Sequence, residues 1–551
     1  MFMQLEARFA GETHTQNTHL APVQDLDDNH HSLFLRDESL TAMPRLPSSA
    51  SSSDAGHASS TYAAPVPSQP SALDDRRISI LTLNVWGLNY ISKLRIARIK
   101  AIASHLTAPS TLHYDFVCLQ EIWYESKDWR FLRHALAARY PHSKFFYSGA
   151  FGSGLAILSR WEIVETRTHP YSLNGQPIHV HHGDWFVGKA CGAITIDHPR
   201  LGMLDVWNTH FVAAGGEDGP EHQRSHRIIQ AYELASLCRN SAAQGRHVVC
   251  VGDLNSTPPS LAIGLLKHVG GMYDSFLDSH PQLHEHATSL DAEAPPAGLG
   301  RRGSVAARPD PQRAIDELGV TCDSPLNTWT AGKKLDARAT RGAGKRLDYI
   351  LYRGPLARSE ASALAHSASA SSRGRLSCAS SSVVFTHRMP GVDCSYSDHF
   401  GVESVFSIAD DADAASVRGG GREDQARVLG AALSALAGGF SASRATQTSH
   451  FYAFGAALLL AVALIVASIF QPLAGVNPLF VLLAVVAGWA GTTMLYSAVV
   501  WGEWEKRTLR TVMETLELEI GHVRRGIHVN TSASTATAGA GPETVREGPL
   551  F

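Results

Sequence analysis

The chain lacks any CxxC pair. Its seven cysteines, Cys118, Cys191, Cys238, Cys250, Cys322, Cys378 and Cys394, are scattered and odd in number. That excludes a disulfide framework and a paired-cysteine zinc site, and several of the seven sit in apolar runs as small buried hydrophobes. A reducing cytosolic setting follows. There is no run of basic residues, and the formal net charge is −3 over 551 residues, so electrostatics gives no support to a nucleic-acid partner. The first ten residues have no continuous apolar core and carry Glu6 and Arg8, which argues against a secretory signal. From Gln16 to Ser71 apolar periodicity is absent and Ser, Ala, Pro, Asp and His prevail. A disordered tail over 1–75 is expected, because so little apolar surface cannot offset the entropy of ordering.

Between Ile78 and Ile408 the texture changes. Strand-like apolar runs occur at 78–85, 115–122, 153–159, 190–196, 204–211, 247–253, 347–352, 382–387 and 399–408. Lys93–Leu106 places Leu94, Ile99, Ile102 and Leu106 on one helical stripe, and Glu221–Arg239 does the same with Ile228, Ala231, Leu234 and Leu237. Two packed sheets flanked by helices, in one α/β domain over 76–408, are expected. Stretches 283–315 and 356–381, rich in Ala, Ser, Arg and Gly, read as surface insertions. The first contains Arg301-Arg302-Gly303-Ser304, a kinase-target pattern short enough to arise by chance.

A Gly/Ala/Ser-rich stretch, 409–447, reads as a linker. Phe451–Phe470 and Leu479–Trp501 are uncharged and long enough to cross a bilayer, and the short, proline-bearing connector between them predicts a transmembrane hairpin. Neither has the polar face of a soluble helix. Arg444 precedes the hairpin and Lys506, Arg507 and Arg510 follow it, while the connector is uncharged. The positive-inside rule then puts both termini and the α/β domain in the cytosol. Glu503–Arg525 is amphipathic and suited to lie on the bilayer or pack on the α/β domain, and 526–551 reads as a second disordered tail.

Short polar motifs stand at the ends of the apolar runs: Leu83-Asn84, Gln120-Glu121, Asn208-Thr209-His210, Gly252-Asp253-Leu254-Asn255 and Ser397-Asp398-His399. Strand ends that deliver carboxylates, carboxamides and imidazoles to one place suit a hard divalent cation and a phosphate. Glu121 with Asn84 forms the candidate cation site. Asp398 is placed to orient His399 as a general base, though a chain with 28 histidines gives His399 and His210 weight only through their context. Asp253 and Asn255 alternate as two contacts to one phosphate would, but Asp-Leu-Asn-Ser is also good turn chemistry. Gly183–Lys189 spells GxxxxGK, yet Ala190 follows where a phosphate loop needs Ser or Thr, and Trp185 and Phe186 would crowd a phosphate. Nucleotide binding is therefore rejected. Asp184 and Lys189 remain as a charged couple on an aromatic-bearing loop, with Trp185 and Phe186 expected to touch lipid or substrate chains.

These motifs, with Leu347-Asp348-Tyr349, resemble the endonuclease/exonuclease/phosphatase superfamily, whose fold is a DNase I-like four-layer α/β sandwich. Segments 83–88, 184–189 and 319–324 and the terminal hairpin resemble its neutral sphingomyelinase and fungal inositol phosphosphingolipid phospholipase C branch. The likeness covers about 78–408 plus the hairpin. It implies Mg²⁺-dependent (Mn²⁺ as an alternative) phospholipase C hydrolysis of inositol phosphosphingolipids or sphingomyelin to ceramide. In those terms Glu121 and Asn84 hold the metal, His399 activates water with Asp398 behind it, and His210, Asn255 and Asp253 serve the phosphorane and leaving oxygen. Asn208 and Asp348 support them, the Asp184/Lys189 loop regulates, and Lys506, Arg507 and Arg510 meet anionic phospholipid. It also implies an endoplasmic reticulum or mitochondrial outer membrane address. Rival readings are an abasic-site endonuclease, an inositol-phospholipid phosphatase, or an inactive membrane scaffold on the same fold.

Overall fold

The computed structural model describes residues 74–213, 219, 221–283, 309–356, 374–409 and 421–536. The expected N-terminal tail up to residue 73 and residues 284–308 of the first insertion, Ser304 among them, lie outside the described residues, while 311–315, expected to be insertion, open a helix that buries Ala314 and Ile315. In chain order the elements are β1 (Arg77–Asn84), α1 (Arg95–Thr107), β2 (Phe116–Gln120), α2 (Arg130–Ala135), β3 (His142–Phe146), β4 (Leu155–Ser159), β5 (Glu165–Pro170), α3 (Asp184–Val187), β6 (Ala190–His198), β7 (Gly202–His210) and α4 (Glu221–Ala243). They continue as β8 (His247–Asp253), α5 (Leu261–His268), β9 (Tyr273–Asp274), α6 (Ser275–Ser279), α7 (Pro311–Leu318), α8 (Ala337–Gly342), β10 (Asp348–Arg353), β11 (Arg375–Val384) and β12 (Gly401–Ala409). Three helices close the described chain: α9 (Arg422–Phe470), α10 (Asn477–Tyr496) and α11 (Gly502–Ala536).

Two six-stranded mixed sheets face each other, in the orders β11-β12-β1-β2-β4-β3 and β5-β6-β7-β8-β10-β9. Strand alternation builds the layers. Ile78 and Ile80 of β1 point between the sheets, where they meet Phe116, Ile157, Val206, Val249 and Phe406. Leu81 and Leu83 point outward with Val117 and Leu119 onto Ile99, Ile102 and Leu132 of α1 and α2. On the far side Trp207, Cys250 and Tyr349 pack against Ile228, Leu234 and Leu265 of α4 and α5.

Register places the polar ends together. β1 and β2 are parallel with Asn84 opposite Gln120, and β7 and β8 are parallel with His210 opposite Asp253. β10 runs antiparallel to β8 with Asp348 opposite Asp253. One edge of the sandwich therefore collects every motif.

Three further expectations are corrected. Residues 375–381, assigned to the second insertion, belong to β11. Their Ser-rich run has little apolar alternation, but β12 supplies a ladder and Leu376 packs into the inter-sheet core. The expected linker 409–447 is helical from residue 422, where Leu429, Ala432, Leu436, Gly439, Ser443 and Gln447 bury one stripe at three- and four-residue spacing. Its small residues let α9 lie close on the domain, so Leu429 and Leu436 join the α4/α5 core. The helix from 503 packs on the α/β domain through Leu509, Val512, Leu516 and Ile520, and it runs to Ala536, past the residue where a tail was expected. No Gly or Pro interrupts 527–536. Strands β3, β5 and β9 were not legible, being short or polar sheet-edge segments.

Candidate active site

Glu121 follows β2 in a left-handed conformation, φ 62°, that L-residues rarely adopt. Neighbouring backbone holds it there. Gly87 N–H donates to Glu121 O at 3.0 Å and Ile122 N–H to Gly154 O at 2.9 Å. Gly87 has to be glycine, since a Cβ there would sit 2.3 Å from Glu121 O. Such over-determined strain aims a side chain at a fixed point. Arg98 of α1, fully buried, donates to Val85 O, Trp86 O and Tyr396 O at 2.7, 2.7 and 3.0 Å and so clamps the turn after Asn84. Burial, against the pull of Asp398, brings its pKa down to about 10, which still leaves it charged at neutral pH.

Asn84 Nδ2 donates to Glu121 Oε1 at 3.0 Å and to Asp253 Oδ2 at 3.1 Å. One amide thus turns two carboxylate oxygens toward one spot. Asn84 Oδ1 accepts from Trp86 N–H at 3.0 Å, so towards the carboxylates the residue acts as a donor. Across from them, His210 Nε2 lies 3.4 Å from Asp253 Oδ2 and 4.0 Å from Glu121 Oε1. Lys189 is buried inside this group, its Nζ 2.8 Å from His210 Nε2 and 3.8 Å from Asp184 Oδ1. Burial lowers the Lys189 pKa, partly offset by Asp184, Glu121 and Asp253. Burial and the Lys189 charge hold His210 neutral, well below the ordinary imidazole range.

His399 is oriented by Asp348 and not by Asp398. Its Nδ1 lies 2.9 Å from Asp348 Oδ2 and its Nε2 3.9 Å from Asp253 Oδ2. Asp398 instead faces Lys333, Oδ2 to Nζ 3.7 Å. Residues 396–398 form a bend that carries the Asp398 side chain away from the imidazole that follows it. Burial opposes protonation of His399, but Cys322, Asp348 and Asp253 outweigh it and lift its pKa well above the ordinary value. Burial also raises the Cys322 thiol, so the two carboxylates carry this effect. Asp253 is pushed up to about 7 by burial, against His399 and with the Asp348 charge adding.

Asn255 departs from the expected alternation. Its φ is 44°, its N–H caps Asp253 Oδ1 at 2.9 Å, and its Nδ2 donates to Phe211 O at 3.1 Å. The turn reading of Asp-Leu-Asn-Ser prevails. Asn208 stands behind the site, taking a bond from Gln120 Nε2 at 2.7 Å and donating to Leu119 O and Ala156 O, which stitches the two sheets together. Sequence reasoning missed Arg98 and Lys333, which lie in no motif.

The donor set fits a hard cation, which prefers oxygen ligands. Glu121 and Asp253 offer converging carboxylate oxygens beside Asn84. Asp253, Asp348 and His399 also bring ligand atoms within 4.8 Å of one another, and Asp348 Oδ1 is buried without a hydrogen-bond partner among the described residues. His399 Nδ1 is already committed to Asp348, so the oxygens at Glu121 and Asp253 are the better seat.

A strained glutamate, a carboxylate-held histidine and a strand-end Asp-x-Asn on paired mixed sheets define a metal-assisted phosphoesterase class. Residues 81–399 match the model of the Endonuclease/Exonuclease/phosphatase family, and the chain belongs to it. Among curated proteins it is 33% identical over 334 residues to inositol phosphosphingolipids phospholipase C of Schizosaccharomyces pombe, covering 60% of this chain and 68% of that one. The Saccharomyces cerevisiae protein of the same name is 34% identical over 351 residues, covering 60% and 64%. Human sphingomyelin phosphodiesterase 2 is 37% identical over 203 residues, covering 37% and 47%. The chain thus spans about two thirds of the two fungal relatives and just under half of the human one.

Proposed function

We propose that this chain is a phosphoric diester hydrolase of phospholipase C type, cleaving inositol phosphosphingolipids or sphingomyelin to ceramide and a phosphorylated head group. The observation that carries this reading is the convergence of Glu121, Asp253 and the Asp348-held His399 at one sandwich edge, in a chain whose curated relatives bear sphingolipid phosphodiesterase names. In its neutral form, His399 Nε2 takes the proton of the attacking water while Asp348 fixes the imidazole through Nδ1. Lys189 and His210 face the non-bridging phosphate oxygens, and Asp253 assists the leaving oxygen. Glu121 and Asp253 would hold Mg²⁺ or Mn²⁺, and the expected ligand role of Asn84 becomes that of a residue whose Nδ2 positions both carboxylates. When bound, such a cation neutralises charge on the phosphate as the transition state forms.

The two apolar runs are read as a hairpin in an endoplasmic reticulum or mitochondrial outer membrane, with the catalytic domain cytosolic. α9 and the helical stretch 477–526 are long and apolar enough for this by length and composition. The Asp184/Lys189 loop is read as a regulatory element, and Lys506, Arg507 and Arg510 as contacts to anionic phospholipid. Full-length protein in detergent, given labelled inositol phosphoceramide or sphingomyelin, should release the water-soluble phosphorylated head group with Mg²⁺ and not with chelator. Release from neither lipid, or full release in chelator, would overturn the reading.

A further inference from the structure

Resting on the membrane reading of the hairpin, we propose that three chain segments form an aromatic ledge, Phe151, Phe186, Trp185 and Trp501, that seats in the lipid–water boundary beside the hairpin. The ledge would fix the height of the active-site mouth over the bilayer.

The row is continuous. The Phe151 ring stacks on Phe186 at 5.9 Å, Phe186 meets Trp185 edge-on at 4.9 Å, and Trp185 meets Trp501 edge-on at 6.3 Å. Trp501 ends the second apolar run, so the far end of the row lies where the chain leaves the bilayer. Exposure rises away from it. Phe151 is 65% exposed and Tyr147, at the start of the same β3–β4 loop, is 62% exposed. Trp504, one turn past Trp501, is 57% exposed and donates its indole N–H to Ser172 O at 3.3 Å, which extends the same rim. Large exposed rings on loop tips are costly in water, and Trp and Tyr favour the head-group level of a membrane.

The loops bearing these rings are fastened together. Ala150 N–H and Phe151 N–H both donate to Phe186 O at 3.0 Å, and Ser148 Oγ donates to Gly188 O at 2.6 Å. Gly149 and Gly188 touch backbone to backbone, since a Cβ on Gly188 would meet Gly149 Cα at 2.5 Å. The residue after Gly188 is Lys189, which reaches His210. Ledge and catalytic group therefore share one short, braced backbone, and the depth at which the rings sit sets the depth of the site. The partner is the boundary layer of the bilayer that holds the hairpin, irrespective of head-group charge.

The test uses full-length protein reconstituted in phosphatidylcholine vesicles. A nitroxide is attached at Phe151→Cys or, as control, at Met203→Cys, both in a Cys378→Ser background. Met203 is 38% exposed at the opposite end of β7 from His210. The label at 151 should be reached by oxygen and shielded from a nickel chelate, while the label at 203 should stay open to nickel. Phe151→Asp should raise KM on vesicle-embedded substrate by about tenfold, the scale of one buried aromatic side chain, with turnover on detergent-dispersed substrate unchanged. A carbonate-resistant protein whose label at 151 is as open to nickel as the label at 203 overturns the ledge alone. A protein that carbonate extracts overturns the hairpin and the ledge together. Neither result touches the catalytic reading, which the detergent assay tests separately.

Discussion

His399 Nδ1 and Asp348 Oδ2, 2.9 Å apart, form a bond between the two sheets: His399 stands just before β12 of one and Asp348 opens β10 of the other. This imidazole is thereby positioned by the sandwich itself, and any slip between the sheets would misalign it.

Asp348→Asn should lower kcat by about 10²–10⁴, the range for loss of a positioned general base, with KM nearly unchanged. Asp398→Asn, which loosens only the Lys333 pair, should cost much less. Steady-state kinetics of the two variants side by side checks this, and equal losses would contradict the assignment of roles.

Glu121→Ala and His399→Ala should each abolish turnover without unfolding the protein, His399→Ala by at least about 10²–10⁴. They should differ in calorimetry. Mg²⁺ binding is lost in the first and kept in the second. Substantial Mg²⁺-dependent activity in purified His399→Ala would refute the base assignment.

Glu505, at the start of α11, is buried and accepts from His226 Nε2 at 2.7 Å, Ser443 Oγ at 2.6 Å and Gln176 Nε2 at 3.0 Å. Burial alone would raise its pKa, but the His226 and Ser443 bonds prevail and hold it below the usual 4.5. A depressed carboxylate contributes stability above its unfolded pKa and loses it as pH falls through the folded value. Glu505→Gln should therefore flatten the acid limb of thermal stability below about pH 4.5. Glu505→Ala should cost on the order of 3 kcal/mol by stranding its buried partners. Melting curves from pH 3 to 7 provide the measurement.

Asn530-Thr531-Ser532 reports topology, because a lumenal tail could be glycosylated there. No glycosidase-sensitive mass shift is expected when the protein is made with microsomes. A shift abolished by Asn530→Gln would place the tail on the other side.

Lys506 pairs with Glu503 at 2.7 Å, Arg507 is 83% exposed, and Arg510 lies over the Phe440 ring at 5.6 Å. Their attraction to anionic lipid, about 1 kcal/mol per cation near such a surface, should make activity on mixed micelles rise with phosphatidylserine. Changing all three to Gln should blunt that rise, and an unaltered response would remove the tail as the sensor.

The fold's central strands were legible because each is a buried apolar run closed by a polar motif, as in β1 with Asn84 and β8 with Asp253. Edge segments such as β5 and residues 375–381 of β11 were not, since their neighbours in the sheet supply what their own sequences lack. The members of the site could be read from strand ends, but not their pairings. Asp398 stands next to His399 in sequence, and only the register of β10 against β8 shows that Asp348 is its partner. The stretch 422–447 misled for a related reason. Its glycines and alanines resemble a linker in isolation, and only the surface of α4 and α5 reveals them as a close-packing stripe.

α9 runs unbroken for 49 residues, from a face buried on the catalytic core into the first apolar run. At about 1.5 Å per residue it is a single rod on the order of 70 Å long, with no joint where the protein would enter a membrane. Anchored this way, the catalytic domain could spin about the membrane normal but not tumble or swing toward a distant surface. It would meet only lipids arriving by lateral diffusion beneath it. The concentration that governs its rate would then be the mole fraction of substrate in its own leaflet, and adding more vesicles at constant composition would leave each anchored molecule working at the same speed.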